Sequence, residues 1–195
     1  KVNNGLTIGQ RIPQYHFIVD RSVNSMSTAK AVELIDRTIA SLPNGIDYKL
    51  IACNYNAHLL NKINLSESLT LIDTLGGFYP EFYMKKTIIN TADRQSNISP
   101  IFILIHSDSS LVTLPVGFSD ISHLTVDNNF FFSINENQEV KKYALESGGF
   151  ISNSEISEII PDSTYSITWK EKNWHLRTNS ESVILYDSLS VPNPN

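Results

Sequence analysis

Two unbroken apolar runs constrain this chain more than any other feature: YHFIVD (15–20) and PIFILIHS (100–107). Each is of strand length, and neither alternates with polar residues. Both must therefore be covered on two faces, the condition of a central strand in a parallel sheet. Each also runs into a loop of aspartate and serine. Asp20 is followed by Ser22, Asn24 and Ser25, and Asp108 is flanked by Ser107, Ser109 and Ser110. A carboxylate closing a buried strand is costly unless something pairs with it. For Asp20 the candidates are a helix N-terminus, a metal ion or a catalytic partner.

The segment between the runs sets the topology. STAKAVELIDRTIASL (27–42) reads as a helix: Ser27 or Ser25 can cap it, Val32, Ile35, Ile39 and Leu42 recur at helical spacing, and Pro43-Asn44-Gly45 ends it. DYKLIACN (47–54) is a second strand. Strand, helix and strand make a βαβ unit, which implies parallel pairing and a right-handed crossover. Residues 1–13 read as a leading segment with a turn at Asn4-Gly5 and a break at Pro13. A short helix is expected over 66–75, ahead of Gly76-Gly77, and another over 81–93 with Tyr83, Ile88 and Ala92 inward. After Pro115 the texture is strand-like: HLTVDNNFFFSINENQEVKKYAL holds an Asn-Glu-Asn turn, TYSITWKEKNWHLRT reads as a hairpin flanked by Trp169 and Trp174, and SVILYDSL (182–189) reads as a further strand. The pattern is an α/β sheet with antiparallel additions towards the C-terminus.

Composition narrows the function classes. The chain has 195 residues, the size of one domain with room for an appendage, and a net charge of −5 with no Lys/Arg cluster, which argues against a nucleic-acid partner. Cys53 is the only cysteine, so no intrachain disulfide can form; inside YKLIAC it reads as a small core residue. No apolar run reaches the roughly 18 residues of a membrane span. His16, His58, His106, His123 and His175 are scattered without zinc-ligand spacing, and His16 and His106 read as satisfied core residues. The chain begins at Lys1 rather than methionine and is rich in Asn and Ser with few charges, so we expect a piece of a longer, exported or envelope-associated protein.

The order YHFIVD-R-S-x-N-S-M followed by a helix resembles the von Willebrand factor type A domain, whose first buried strand ends in an Asp-x-Ser-x-Ser motif. The likeness covers roughly residues 14 to 145 and is specific at 17–26. It implies a Rossmann-like, doubly wound, mostly parallel sheet over residues 1–150, with a β-rich C-terminal extension over 151–195. It implies a non-enzymatic, adhesion-type protein-interaction module in a bacterial envelope setting. It also implies a divalent cation (magnesium, or manganese or calcium) at the carboxyl edge of the sheet, with an acidic side chain of a protein partner completing the shell. Such a cation takes hard oxygen ligands and keeps several waters. By resemblance, Asp20 would act mainly through water and Ser22 would ligate directly, with Asn24, Ser25 and Asp108 completing the site. The motif departs from the family's pattern. Asn24 stands where its second serine belongs, Ser25 comes one place late, Asp108 is displaced by one step, and Thr74 and Thr87 are poor substitutes for its threonine. The adhesion site is therefore degenerate.

Other readings compete for the same residues. Asp20 and its serines can simply cap a helix, leaving a structural domain of a larger envelope protein with no cation; Asp108 and its serines can form a turn. Ser27-Thr28-Ala29-Lys30 spells S-x-x-K, a serine hydrolase signature. It lacks the Lys-Thr-Gly and Ser-Asp-Asn companions, so an enzyme is not expected. Asn64 and Asn97 begin glycosylation sequons, which matter only in a secreted eukaryotic chain.

Overall fold

The computed structural model describes residues 7–10, 12–42, 45–93, 98–110, 118, 130–154, 163–169, 172–178 and 183–187. Its elements run β1 (Thr7–Gln10), β2 (Ile12–Asp20), α1 (Thr28–Ser41), β3 (Asp47–Cys53), β4 (Ala57–Leu59), α2 (Leu65–Thr70), α3 (Glu81–Asp93) and β5 (Ile98–His106). Then follow β6 (Phe130–Asn135), β7 (Val140–Ala144), β8 (Phe150–Asn153), β9 (Ser163–Trp169), β10 (Lys172–Thr178) and β11 (Val183–Asp187).

A seven-stranded sheet has the order β4-β3-β2-β5-β6-β7-β8. β2 pairs in parallel with β3 and with β5, and β5 in parallel with β6, while β4, β7 and β8 add antiparallel edges. Counted from β2, the sheet reads 3-2-1-4-5-6-7, so its strand order reverses between β2 and β5. That is the switch point where open α/β sheets leave a crevice at the strand carboxyl ends. Both Asp-Ser loops leave the sheet there.

The two faces explain the unbroken apolar runs. Tyr15, Phe17 and Val19 of β2 join Leu50, Ile101, Ile103 and Ile105 beneath Leu34 and Ile35 of α1 and Leu65 and Leu69 of α2. The alternate residues Ile18, Phe102, Leu104 and Phe131 pack under Met84 and Ile88 of α3. A period of two carries successive side chains to opposite faces; with helices on both, no position in YHFIVD or IFILI has a wet side.

A second sheet has the order β1-β9-β10-β11, all antiparallel. It joins residues from both ends of the chain: Thr7–Gln10 pair with Tyr165–Thr168. β8, at residues 150–153, belongs to the seven-stranded sheet. The Asn4-Gly5 turn lies outside the described residues.

Several expectations hold. α1 begins after Ser27, whose hydroxyl accepts the Lys30 N–H at 3.3 Å. α3 spans the expected residues, the hairpin β9–β10 forms, and the Asn-Glu-Asn turn is an Asx turn in which Asn135 Oδ1 accepts the N–H groups of Asn137 and Glu139 at 3.0 and 2.9 Å. Two expectations fail. Pro13 does not break the chain. It lies inside β2, where β5 has begun to pair but β3 pairs only from Gln14 onward, so one ladder is still open at its missing N–H. The helix expected to reach residue 75 stops at Thr70. Beyond it the carbonyl of Ile72 accepts from the Arg21 guanidinium at 2.9 Å and that of Asp73 from the Asn54 amide at 3.1 Å, so the chain is drawn onto neighbouring loops.

Candidate functional site

The site grows from the end of β2. Asp20 is 1% exposed and Ser22 3%. Asp20 Oδ1 accepts the Ser22 N–H at 2.6 Å, and Oδ2 accepts the hydroxyl of Ser110. The loops after β2 and β5 are thus joined through one carboxylate, and the Asn24 carbonyl accepts the hydroxyls of Ser109 and Ser110 at 3.3 and 3.5 Å. The Ser22 hydroxyl, by contrast, is buried with no partner among the described residues. A buried hydroxyl without a hydrogen bond is uncommon enough to call for an explanation.

A third loop completes the edge. Leu75 N–H donates to the Arg21 carbonyl and Val23 N–H to the Gly76 carbonyl, both at 3.1 Å, so residues 21–23 and 75–76 form a short ladder. Arg21 lies inside it with Nη2 on the Ile72 carbonyl and Nη1 on the Thr28 hydroxyl at 3.4 Å. Burial holds its pKa below the usual value, and the Asp20 charge pulls it back up. Gly76 has φ +56°, and a Cβ there would lie 2.1 Å from the Tyr55 ring, so the tyrosine rests on bare backbone. Tyr55 stacks on Tyr79 with centroids 5.7 Å apart.

The five expected ligands do not all converge. Asp20 and Ser22 sit together. Asn24 enters through its carbonyl, while its side chain lies on an exposed residue. Ser25 closes a turn by donating its N–H to the Ser22 carbonyl at 3.1 Å. Asp108 points to the β6–β7 turn, where its oxygens accept the amides of Asn135 and Asn137, each at 2.8 Å. Of the two threonines, Thr74 lies in the loop that pairs with Arg21 and Thr87 lies within α3. Among the described residues, no group of three His, Cys, Asp or Glu is placed to hold a metal.

Ser110 and Arg21 are the residues that sequence reasoning passed over. Ser110 had a signal, since it lies in a hydroxyl-rich loop after an apolar strand. Nothing local marked Arg21 as buried. The donors present are hard oxygens, which suit magnesium or manganese, but Asp20 is a single carboxylate beside a guanidinium. Such a set can hold a cation only weakly.

Ser27 and Lys30 do not form a nucleophile pair. The hydroxyl caps α1, and the Lys30 ammonium lies 3.0 Å from Glu33. Cys53, in register with Asp20, donates to the Tyr79 carbonyl at 3.4 Å, and burial pushes its thiol up to about 12, with Glu81 and Asp20 adding to the shift. Glu81 starts α3 with Oε2 buried and unpaired among the described residues; burial raises its carboxyl pKa, opposed by its own backbone N–H and by Lys85.

With this geometry in place the chain can be set beside known proteins. Two solved structures are similar to it at low identity. A von Willebrand factor type A protein from Catenulispora acidiphila matches with 14% identity and a TM-score of 0.35, over 69% of this chain and 41% of that one. The ArnB paralog VWA2 from Sulfolobus acidocaldarius matches with 13% identity and a TM-score of 0.41, over 94% of this chain and 66% of that one. The chain thus spans less than two thirds of either protein. At such identities and scores the likeness says nothing about the site, and the fold class rests on the sheet itself: seven strands, mostly parallel at the core, with helices on both faces. No protein-family model and no curated protein matches the sequence.

Proposed function

We propose that this chain is a non-enzymatic protein-interaction module that docks a protein partner on the carboxyl edge of its seven-stranded sheet. One observation carries the reading. The loops that enclose Asp20 and Ser22 expose large apolar side chains: Val23 at 66%, Leu75 at 52%, Tyr55 at 62% and, at the start of α3, Phe82 at 72%. Exposed apolar side chains that share the loops of one edge offer a partner a surface to cover. The orphaned Ser22 hydroxyl at their centre supports a role for a divalent cation, held by Ser22 directly and by Asp20 through water. The cation would supply a positive charge for a partner's carboxylate. Arg21 beside Asp20 would weaken the hold on that cation. The exported, envelope-associated setting belongs to this proposal.

A second reading has its own observation. Both oxygens of Asp20 are already engaged, by Ser22 N–H and Ser110 OH. On this reading Asp20 staples two loops with no ion, and the apolar rim acts alone. Calorimetric titration of Mn²⁺ into the wild type, Asp20→Ala and Ser22→Ala separates the two. Saturable binding lost in both variants is the outcome expected with a cation; heats that do not saturate in the wild type would remove it. For the rim, partner capture by the immobilised chain should be lost in a Val23→Glu, Phe82→Glu double variant that melts like the wild type. Equal capture by that variant would overturn the docking surface itself.

A further inference from the structure

A groove on the α3 side of the seven-stranded sheet runs on from the docking rim, with which it shares Tyr55 and Phe82. The connection from β3 to β4 is only three residues, Asn54 to Asn56, so no helix covers β3 beside α3. The space left is an open groove of about 800 Å³ between α3, the start of β2, Lys49 of β3 and the β3–β4 loop, within the usual range for ligand sites. Its lining includes Lys49, Lys86, Gln14, Asn90, Tyr55 and Phe82, and no carboxylate among the described residues lines it. Lys30, Lys62 and Lys141 each have a carboxylate within 4 Å, whereas Lys49 and Lys86 have none among the described residues. Asp47, at the start of β3, borders the groove through Gln14, whose amide it accepts, and also faces Lys62 at 3.8 Å.

The floor is held in place. His16, buried beneath it, bonds Tyr83 OH at 2.8 Å and the Gln14 oxygen at 3.0 Å, which fixes the rims on β2 and α3 relative to each other. Tyr55 is locked on one face by Tyr79 and Gly76 and is exposed on the other. Lys49 lies on β3 and Tyr55 in the loop that follows it, six residues on, so the two are at most about 20 Å apart. Two ammonium groups with no carboxylate partner among the described residues ask for an anion. Amides and an aromatic face ask for a ligand with many hydroxyls and an apolar C–H face. An extended acidic peptide fits less well, because β3 is paired along its whole length with β2 and over Ile51–Cys53 with β4, which leaves little backbone for a ladder. Two lysines in a chain of net charge −5 are too few for nucleic acid.

We propose that this groove binds an acidic oligosaccharide, its anionic group held by Lys49 and Lys86 and one sugar ring stacked on Tyr55. This goes beyond the docking edge, with which the groove shares Tyr55 and Phe82, and it needs neither a protein partner nor a cation there. The test is calorimetric titration of the full chain with tetragalacturonate, a hyaluronan hexasaccharide and sialyllactose, with maltotetraose as the neutral control and pentaglutamate as the peptide control. The expected result is saturable binding of at least one acidic sugar, with both controls roughly tenfold weaker or worse. Lys49→Gln with Lys86→Gln, and separately Tyr55→Ala, should each weaken that binding about tenfold while far-UV circular dichroism is unchanged. Binding should survive excess chelator and Ser22→Ala, so failure at the cation site leaves this result intact. No acidic sugar binding at about 5 mM overturns the proposal, as does equal binding by pentaglutamate or by the lysine double variant.

Discussion

Asp20→Ala is the perturbation whose consequences can be worked furthest. The substitution removes a buried acceptor that takes the Ser22 N–H at 2.6 Å and the Ser110 hydroxyl. Leaving a buried donor unpaired costs about 1–3 kcal/mol. The backbone N–H of Ser22 cannot turn away, whereas the Ser110 hydroxyl can rotate towards the Asn24 carbonyl 3.5 Å off, so it recovers part of its loss. Arg21 also loses the charge that offsets its burial. The sum is about 3–4 kcal/mol, or a fall in Tm of roughly 6–16 °C for a domain of this size. Thermal and urea unfolding followed by far-UV circular dichroism, without divalent cation, measure it. Ser110→Ala alone should cost about 1 kcal/mol, and the double variant less than the sum, because the two share one bond. Adding Mg²⁺ at about ten times its dissociation constant should stabilise the wild type by about 1.4 kcal/mol and the Asp20→Ala variant not at all. A loss below about 1 kcal/mol for Asp20→Ala would refute the premise that this carboxylate joins the two loops.

Three further outcomes follow from the same geometry. His16 is buried, and that burial, with Lys49 adding to it and Asp47 opposing, lowers its pKa to about 3 from an unfolded value near 6.5. The unfolded chain then binds more protons between those values. Stability is therefore complete above pH 6.5 and falls on acidification, by about 2–3 kcal/mol at pH 4.5. His16→Gln should flatten that slope in pH-dependent urea titrations, and an unchanged slope would count against a buried neutral imidazole. Gly76→Ala places a Cβ in the Tyr55 ring at positive φ; a loss of about 1–3 kcal/mol is expected by urea unfolding, and a neutral result would mean that Tyr55 does not rest there. The Cys53 thiol, raised to about 12, should react with a disulfide reagent at pH 8 only as fast as the chain unfolds. Fast labelling of the native protein would contradict its burial.

Much of the fold was legible because it is written in local patterns. Helical spacing and the Ser27 cap placed α1 within one residue of its observed limits, and the unbroken run 15–20 could only be a strand covered on both sides. Three short strands escaped notice. β4, β8 and β1 have three or four residues each, too few for a period to declare itself, and each exists because a neighbour offers an open edge.

The candidate site was legible only in part, for the same reason. The sequence by itself determined that Asp20 closes a buried strand, that serines follow it, and that a second strand ends in a similar loop. Those are facts of order and composition along a few residues. Tertiary structure decided which groups meet. It gave Ser110 rather than Asp108 to Asp20, turned Asp108 to Asn135 and Asn137, buried Arg21, and left the Ser22 hydroxyl alone. It also opened the groove beside α3, whose lysines and tyrosine come from three separate segments. Hydrogen bonds and charges act over a few ångströms. Residues 90 positions apart in the chain, such as Asp20 and Ser110, come within that range only when β2 and β5 pair at the switch point.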